Sequence, residues 1–399
     1  MHRRWMQAAA VAVTTASCLA LGPSAQAGAV RTPVPSGQGQ GIPTGIRAEV
    51  EAAMDAMVAS GVPGATARVT QGGRTWTVTA GVADLVSGAP LRADGRFRAG
   101  SVTKELLAVQ VLRLVDRGVL SLDDNLAARL PGVVVPDAER ITVRQMLNHS
   151  SGLYDYATDA AFADPRAYAQ HPYQPEELIR IATAHPPVAA PGEKFFYSNT
   201  NYIMLGLIVE KATGRELAGL LRDDVIDRAG MTDTFLPGHT PSFGGPHASG
   251  YYRTADEPAT EPPHELTALD PSFAWSSYGL VSTTADLNRL QRALWDGRLL
   301  PRHLREVMTE SVDTGNAAYP RYGLGLEHAQ MPCSADAWGH TGSIPGFNTL
   351  SFADRRTGAG VTISANAQLL DPPLATPSVV AAMNAISQVF CGKDWSLPQ

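Results

Sequence analysis

The sequence predicts an α/β (α+β) fold in which one antiparallel sheet is built from both chain ends, flanked by helices, with an all-helical insertion between them. Three observations carry this expectation. Strand-like alternation occurs early, in "GATARVTQGGRTWTVTAGVA" (64–83), and returns late, in "NTLSFADRRTGAGVTISANA" (348–367). From about 104 to 270 the pattern is mainly helical with long loops. A helical segment stands outside each strand block, "GIRAEVEAAMDAMVASG" (45–61) before the first and "TPSVVAAMNAISQVF" (376–390) after the second.

The elements follow in order. The chain has 399 residues, 44% of them hydrophobic, enough for a sizeable core. Residues 1–27 have a basic start, an apolar run and Ala25-Gln26-Ala27, the pattern of an export signal cleaved near Ala27. A secreted, extracellular protein is therefore expected. The apolar run carries Thr14, Thr15 and Ser17 and is short for a membrane span, so no stable membrane anchor is expected. Losing Arg3 and Arg4 with this segment takes the net charge from −6 to −8. That balance offers no basic stripe for nucleic acid. Residues 28–43, rich in Gly and Pro, read as a flexible lead-in. Residues 44–399 then form the globular unit, with α/β parts at about 44–105 and 275–399 and a helical part at about 106–274. Gly72-Gly73 marks the first hairpin turn, and Gly118 and Gly214 close the clearest helices. The block "YYRTADEPATEPPHEL" (251–266) reads as an exposed loop. Cys18 leaves with the signal, and Cys333 and Cys391 remain as an even pair in an exported chain. A disulfide is the natural expectation, tying the C-terminal tail to the segment before "WGHTG".

The chemistry starts at Ser101 and Lys104. The chain holds 28 Arg but only 4 Lys, and one of these lies a turn after Ser101, where an apolar-periodic helix begins. A lysine can give up its proton and act as a base, and an arginine effectively cannot. Serine needs such a base to become a nucleophile. Positions i and i+3 share a helix face, so Lys104 can reach Ser101. The bland alternative is a capping serine followed by a surface lysine. In "KFFYSNTNYIML", Tyr197 can pass a proton and Asn199 can hold a carbonyl through its amide, although Ser198 or Asn199 could simply cap the next helix. In "WGHTGSIPGF", just before the late hairpin pattern, His340 and Thr341 present polar groups along that strand, and Gly342 would let a ligand backbone approach closely. A turn with a structural histidine is the competing reading. No G-x-S-x-G, H-E-x-x-H, paired Cys cluster or Walker loop occurs, so neither a metal nor a cofactor is expected.

The order S-x-x-K, then Tyr-x-Asn, then His-Thr-Gly resembles the serine β-lactamase and penicillin-binding protein superfamily, in its class C β-lactamase-like form. Within it the pattern is similar to the secreted Streptomyces-type D-alanyl-D-alanine carboxypeptidases. "ITVRQMLNHSSGLYDY", "TDTF", "YGLGL" and "FCGK" also match that pattern. The resemblance implies a β-lactamase/transpeptidase-like fold and a hydrolase acting on D-Ala-D-Ala-type peptides through an acyl-enzyme. It implies Ser101 as nucleophile, Lys104 as its base partner, Tyr197 as the catalytic tyrosine and Asn199 as the residue orienting the substrate amide. His340 and Thr341 would bind the carboxylate side, and the backbone N–H groups of Ser101 and Ser343 would form the oxyanion hole. Phe162 and Trp275 would line the cleft. The expected partners are peptidoglycan-type peptides or small acyl substrates, with β-lactams as covalent inhibitors, acting on a monomer.

Two positions depart from that pattern. Glu327, followed by His328, stands after "YGLGL" where the strict carboxypeptidases carry an arginine for the terminal carboxylate. Arg321 is six residues away and is a candidate substitute. Pro345 replaces an expected polar residue. Glu327 could therefore attract an amine, giving a D-aminopeptidase or amidase, and an esterase or a β-lactamase is open on the same scaffold. A non-catalytic penicillin-binding receptor is a further alternative. Whether Lys104 or Tyr197 takes the serine proton is left open by the sequence.

Overall fold

The structure, a computed structural model, describes residues 44–254, 257, 258, 260–369 and 376–396. The expected export signal and lead-in lie outside the described residues. Helix α1 (Thr44–Ala59) buries Val50, Met54 and Met57, spaced four and three apart as one helix face requires. Strands β1 (Gly64–Gln71) and β2 (Arg74–Gly81) form the early hairpin. Gly72 and Gly73 turn it with φ of +56° and +75°, the conformation a two-residue hairpin of this twist needs. The late strands are β3 (Val312–Asp313), β4 (Arg321–Tyr322), β5 (Glu327–Ala329), β6 (Ala337–Ile344), β7 (Phe347–Asp354) and β8 (Gly360–Ala365). The helices that matter below are α2 (Thr103–Asp116), α3 (Asn199–Thr213), α4 (Thr284–Trp295) and α5 (Pro377–Cys391).

One eight-stranded sheet runs β2-β1-β8-β7-β6-β5-β4-β3, and every neighbouring pair is antiparallel. The two chain ends meet where β1 pairs with β8, from Ala65 opposite Ala365 to Thr70 opposite Gly360. The predicted fold class is thus the observed one. Alternation along β1 decides what covers each face. Ala65, Ala67 and Val69 join Val361, Ile363 and Ile386 in a core under α1 and α5. The opposite face is more polar and meets α4, where Asn288 Oδ1 accepts from Thr362 Oγ1 at 2.6 Å. A second core gathers Leu106, Val109, Met204, Leu205 and Ile208 between α2, α3 and their neighbours. Among the described residues no helix is long and apolar enough to cross a membrane.

Two local expectations need correction. "AWGHTGSI" is not the turn of the competing reading. It is strand β6, paired with β7 over eight positions and reversed at Pro345-Gly346, where Gly346 has φ +94°. The glycines at 339 and 342 weaken its alternation, because they serve close contacts rather than side-chain packing. The block 251–266 is also not simply an exposed loop. Tyr251–Arg253 pairs with His264–Glu265 and runs parallel to Ala367–Leu369, with Tyr251 and Tyr252 buried. Cys333 and Cys391 are bonded as expected, with Cα atoms 5.7 Å apart, joining the end of α5 to the approach to β6.

Candidate active site

The starts of α2 and α3 and the end of β6 converge on one cleft. Ser101 lies in a single 3₁₀ turn, Gly100–Val102, that leads into α2. Gly100 has φ +57°, and a Cβ there would stand 2.5 Å from the Ser343 backbone nitrogen. A Cβ on Gly342 would stand 2.1 Å from the Ala99 carbonyl and 3.3 Å from the Ser101 nitrogen. Two glycines thus let β6 touch the nucleophile turn and bring the Ser101 and Ser343 backbones together. Gly342 makes room for the chain's own Ala99 backbone rather than for a ligand, which corrects its expected role.

Lys104 is fully buried one turn into the helix. Its Nζ lies 3.0 Å from Ser101 Oγ, 2.8 Å from Asn199 Oδ1 and 3.0 Å from the Ser277 carbonyl. The rings of Tyr197, Tyr202 and Tyr278 surround it at 4.9, 5.3 and 5.7 Å. Burial pushes this amine down to about 7, against opposing pulls from Asp155 and Glu327. A neutral amine has two N–H groups and one lone pair. Two of its neighbours, the Asn199 and Ser277 carbonyl oxygens, can only accept. The lone pair is left for the Ser101 hydroxyl. The capping alternatives fail here: neither α2 nor α3 has a side-chain cap, and Ser198 Oγ donates to the Tyr154 carbonyl instead.

Asn199 owes its orientation to Asp155, a residue the sequence reading did not single out. The Asn199 backbone N–H and its Nδ2 each donate to Asp155 at 3.0 Å. Asp155 is buried, and burial raises its carboxyl above the usual range. With Nδ2 committed to that carboxylate, Oδ1 faces Lys104, and Ser277 Oγ also donates to it at 2.8 Å. His149 fixes the segment carrying Tyr197. Its carbonyl accepts from Phe196 N–H at 2.8 Å, and its Nδ1 accepts from Ser198 N–H at 3.1 Å. Its ring lies 4.2 Å from that of Tyr197. Burial holds the Tyr197 phenol well above its usual range, opposed by a hydrogen bond with Ser101. Tyr197 therefore stays protonated near neutral pH.

The cleft itself has a volume of about 310 Å³. Ser101, Tyr197, Asn199, Ser343 and Gln368 supply its polar wall, and Phe162, Tyr168, Ile344 and Pro345 supply much of the apolar one. Phe162 stands where it was expected. Trp275 does not line the cleft: its ring packs where a Cβ on Gly206 of α3 would be, and Tyr278, one turn later, faces the cavity instead. His340 is also withdrawn from the expected substrate contact. It is fully buried, Nε2 pairs with the Tyr322 hydroxyl at 2.8 Å, and Nδ1 faces the Thr341 carbonyl. Burial, with Lys104 nearby, pushes it down to about 3, so it is neutral. Glu327 is only 8% exposed and does not reach the cleft wall. Its two oxygens accept from Thr341, from N–H at 2.8 Å and from Oγ1 at 2.9 Å. Arg321 is no substitute cation for the cleft: it pairs with His328 at 3.1 Å and lies over Trp338.

A serine held against a desolvated lysine and a protonated tyrosine, at the junction of this sheet and a helical insertion, defines a serine hydrolase of the β-lactamase and penicillin-binding type. The chain belongs to the Beta-lactamase family, which it matches over residues 47–381. It is 30% identical over 263 residues to penicillin-binding protein 4 of Amycolatopsis lactamdurans, covering 63% of this chain and 64% of that one. The match to a penicillin-binding protein of Bacillus subtilis (strain 168) likewise spans only 60% of that relative's length. Esterase EstB of Burkholderia gladioli is 29% identical over 326 residues, covering 72% of this chain and 81% of the esterase. Among solved structures, a D-stereospecific amidohydrolase from Streptomyces sp. superposes with a TM-score of 0.77 at 33% identity, covering 87% of this chain and 99% of that one.

Proposed function

We propose that this chain is an exported amidohydrolase that acylates Ser101 with the carbonyl of a D-configured residue and releases an uncharged amide-linked leaving group. One observation carries the reading. Among the described residues lining the cleft, none is an arginine, lysine or histidine that could neutralise a substrate carboxylate. The likeness to a D-stereospecific amidohydrolase over almost all of that protein supports it, and the signal-like residues 1–27 support export. The D-Ala-D-Ala carboxypeptidase reading stands second, favoured by the penicillin-binding relatives.

In this mechanism Lys104, as the neutral amine, takes the Ser101 proton while Oγ bonds to the substrate carbonyl carbon. The oxyanion sits against the backbone N–H groups of Ser101 and Ser343. The C–N bond then breaks as Tyr197 donates its proton to the leaving nitrogen and recovers one from Lys104. Water attacks the acyl-enzyme with the same groups in reverse. The assignment of Lys104 as base rests on its lowered affinity for a proton and on Tyr197 keeping its own. The test compares turnover of a D-Ala-D-Ala peptide, its C-terminal amide and free D-Ala amide. A clear preference for the free carboxylate would restore the carboxypeptidase reading. Mass spectrometry after penicillin exposure should find the adduct on Ser101, and Ser101→Ala should lose both adduct and turnover.

A further inference from the structure

We infer that Glu327 selects the polar group accepted beside the scissile bond, by fixing the Thr341 hydroxyl as a hydrogen-bond acceptor that admits an amide or amine N–H and refuses a carboxylate. The inference deepens the amidohydrolase reading and rests on it. Glu327 on β5 lies opposite Gly339 of β6 in the sheet. Thr341, two residues further along β6, shares that face. Both Glu327 oxygens accept from Thr341. A carboxylate has no proton to offer, so the single hydroxyl proton of Thr341 is spent on Glu327. Only lone pairs remain for any other partner.

Thr341 stands behind the cleft lining rather than in it, one pleat from Ser343, and a substrate group reaching past Ser343 would meet those lone pairs. Thr341 points to the same side of β6 as Ser343, which lines the cleft, and it is partly exposed while His340 and Gly342 on either side are buried. A substrate carboxylate brought to Thr341 would set acceptor against acceptor, with the Glu327 charge behind. A carboxamide or an ammonium would supply the missing N–H. Glu327 is therefore a positioning residue, acting through Thr341.

The groups around Glu327 bear on how this is tested. Lys104 reaches it electrostatically from α2, His340 Nδ1 from β6 at 3.8 Å, Tyr322 from β4, and Tyr319 and Tyr197 from the loops before β4 and α3. His340 and the three tyrosines are neutral near pH 7. Lys104 and Glu327 both titrate near 7, so a pH series alone would mix them. Glu327→Gln separates them at fixed pH. Its amide can donate to Thr341 Oγ1 while its oxygen still accepts the Thr341 N–H, which frees the hydroxyl proton for the cleft.

The experiment uses the full chain at pH 8 with a nitrophenyl ester as reporter. An acetylated D-Ala-D-Ala peptide and its C-terminal carboxamide serve as competitors. The wild type should bind the carboxamide about tenfold or more tightly than the carboxylate, the size expected for a hydrogen bond next to a charge. In Glu327→Gln this ratio should fall to near unity or invert. Thr341→Val, which keeps the charge and removes the hydroxyl, should also shrink it, and serves if the first variant does not fold. An unchanged ratio in either folded variant overturns the inference. Turnover of the two peptides, read in the same reactions, tests the amidohydrolase reading separately. A wild type that shows the binding preference but cleaves neither peptide nor free D-Ala amide would refute that reading alone.

Discussion

Replacing Asp155 by asparagine should disable Lys104 without touching it. Asp155 reaches Lys104 through one side-chain amide: its carboxylate accepts from Asn199 Nδ2 at 3.0 Å, and Asn199 Oδ1 lies 2.8 Å from Lys104 Nζ. The substitution has two separable effects. The first is on charge. Across roughly 7 Å at an effective dielectric of about 20, the lost anion is worth about 2 kcal/mol, or between one and two pH units. Asp155 favours the charged amine, so its removal should move the acid limb of kcat/KM from near pH 7 downward by about that much. The second effect is on direction. In Asp155→Asn, the introduced amide nitrogen facing Asn199 Nδ2 would set donor against donor and favour a flipped Asn199. Nδ2 would then donate to Lys104 and occupy the lone pair that Ser101 needs. The plateau rate should fall by about 10² or more, the usual scale for a lost general base. Full pH–rate profiles of wild type and Asp155→Asn on one amide substrate supply the assay. A variant with the wild-type plateau and an unmoved acid limb would refute the relay. A lower plateau with an unmoved limb would reduce Asp155 to a structural support.

Three further outcomes follow from the same structure. Wild-type kcat/KM should rise through pH 7 as Lys104 loses its proton, and Lys104→Arg, which keeps the charge but cannot act as a base, should lose about 10² or more at every pH; retained turnover would make Lys104 structural. Glu105 is buried, accepts from Gln291 Nε2 at 2.9 Å, and is pushed up to about 8 by burial. Its stabilising contribution is complete below the unfolded carboxyl value of 4.5 and is lost as pH rises through 8, at up to about 1.4 kcal/mol per pH unit; Glu105→Gln should therefore gain melting temperature relative to wild type at pH 9 compared with pH 5. The Cys333–Cys391 bond closes a span of 58 residues, so the double serine variant should lose about 4 kcal/mol by loop-entropy reasoning, measurable by denaturant unfolding.

The fold was legible because its strongest signals are periodic and its sheet-forming blocks lie at the chain ends. The Gly72-Gly73 hairpin and helices α1, α2, α3 and α5 could each be read locally. Strand β6 was legible only around His340 and Thr341, because Gly339 and Gly342 dilute its alternation over the full length. Both positions are glycine for a tertiary reason. A Cβ at 339 would meet the Ser351 carbonyl at 1.9 Å, and one at 342 would meet the Ala99 carbonyl. The site divides in the same way. Ser101 and Lys104 are one helical turn apart, so spacing alone joined them. Asp155 and Asn199 are 44 residues apart, and their contact exists only once the 149–156 segment packs on the start of α3. Trp275 and Tyr278 share one short helix, and which of them faces the cleft depends on Gly206 leaving room for the indole.

Glu327 carries the sharper lesson about charge. Sequence position placed a carboxylate near a substrate carboxylate, and simple repulsion suggested attraction for an amine. The structure buries that carboxylate, so its charge reaches the cleft mainly through what it does to Thr341 and Lys104. Lys104 is the more consequential of the two. The amine is useful only while burial outweighs the anions around it, Asp155 and Glu327. A substrate carboxylate entering the cleft would add a third anion and favour the ammonium, withdrawing the base at the moment of binding. An amide adds no charge and displaces water, which pushes Lys104 further toward the neutral form. On the amidohydrolase reading, the same balance of burial and charge that tunes the base would count against a carboxylate on the substrate, independently of any contact Thr341 makes.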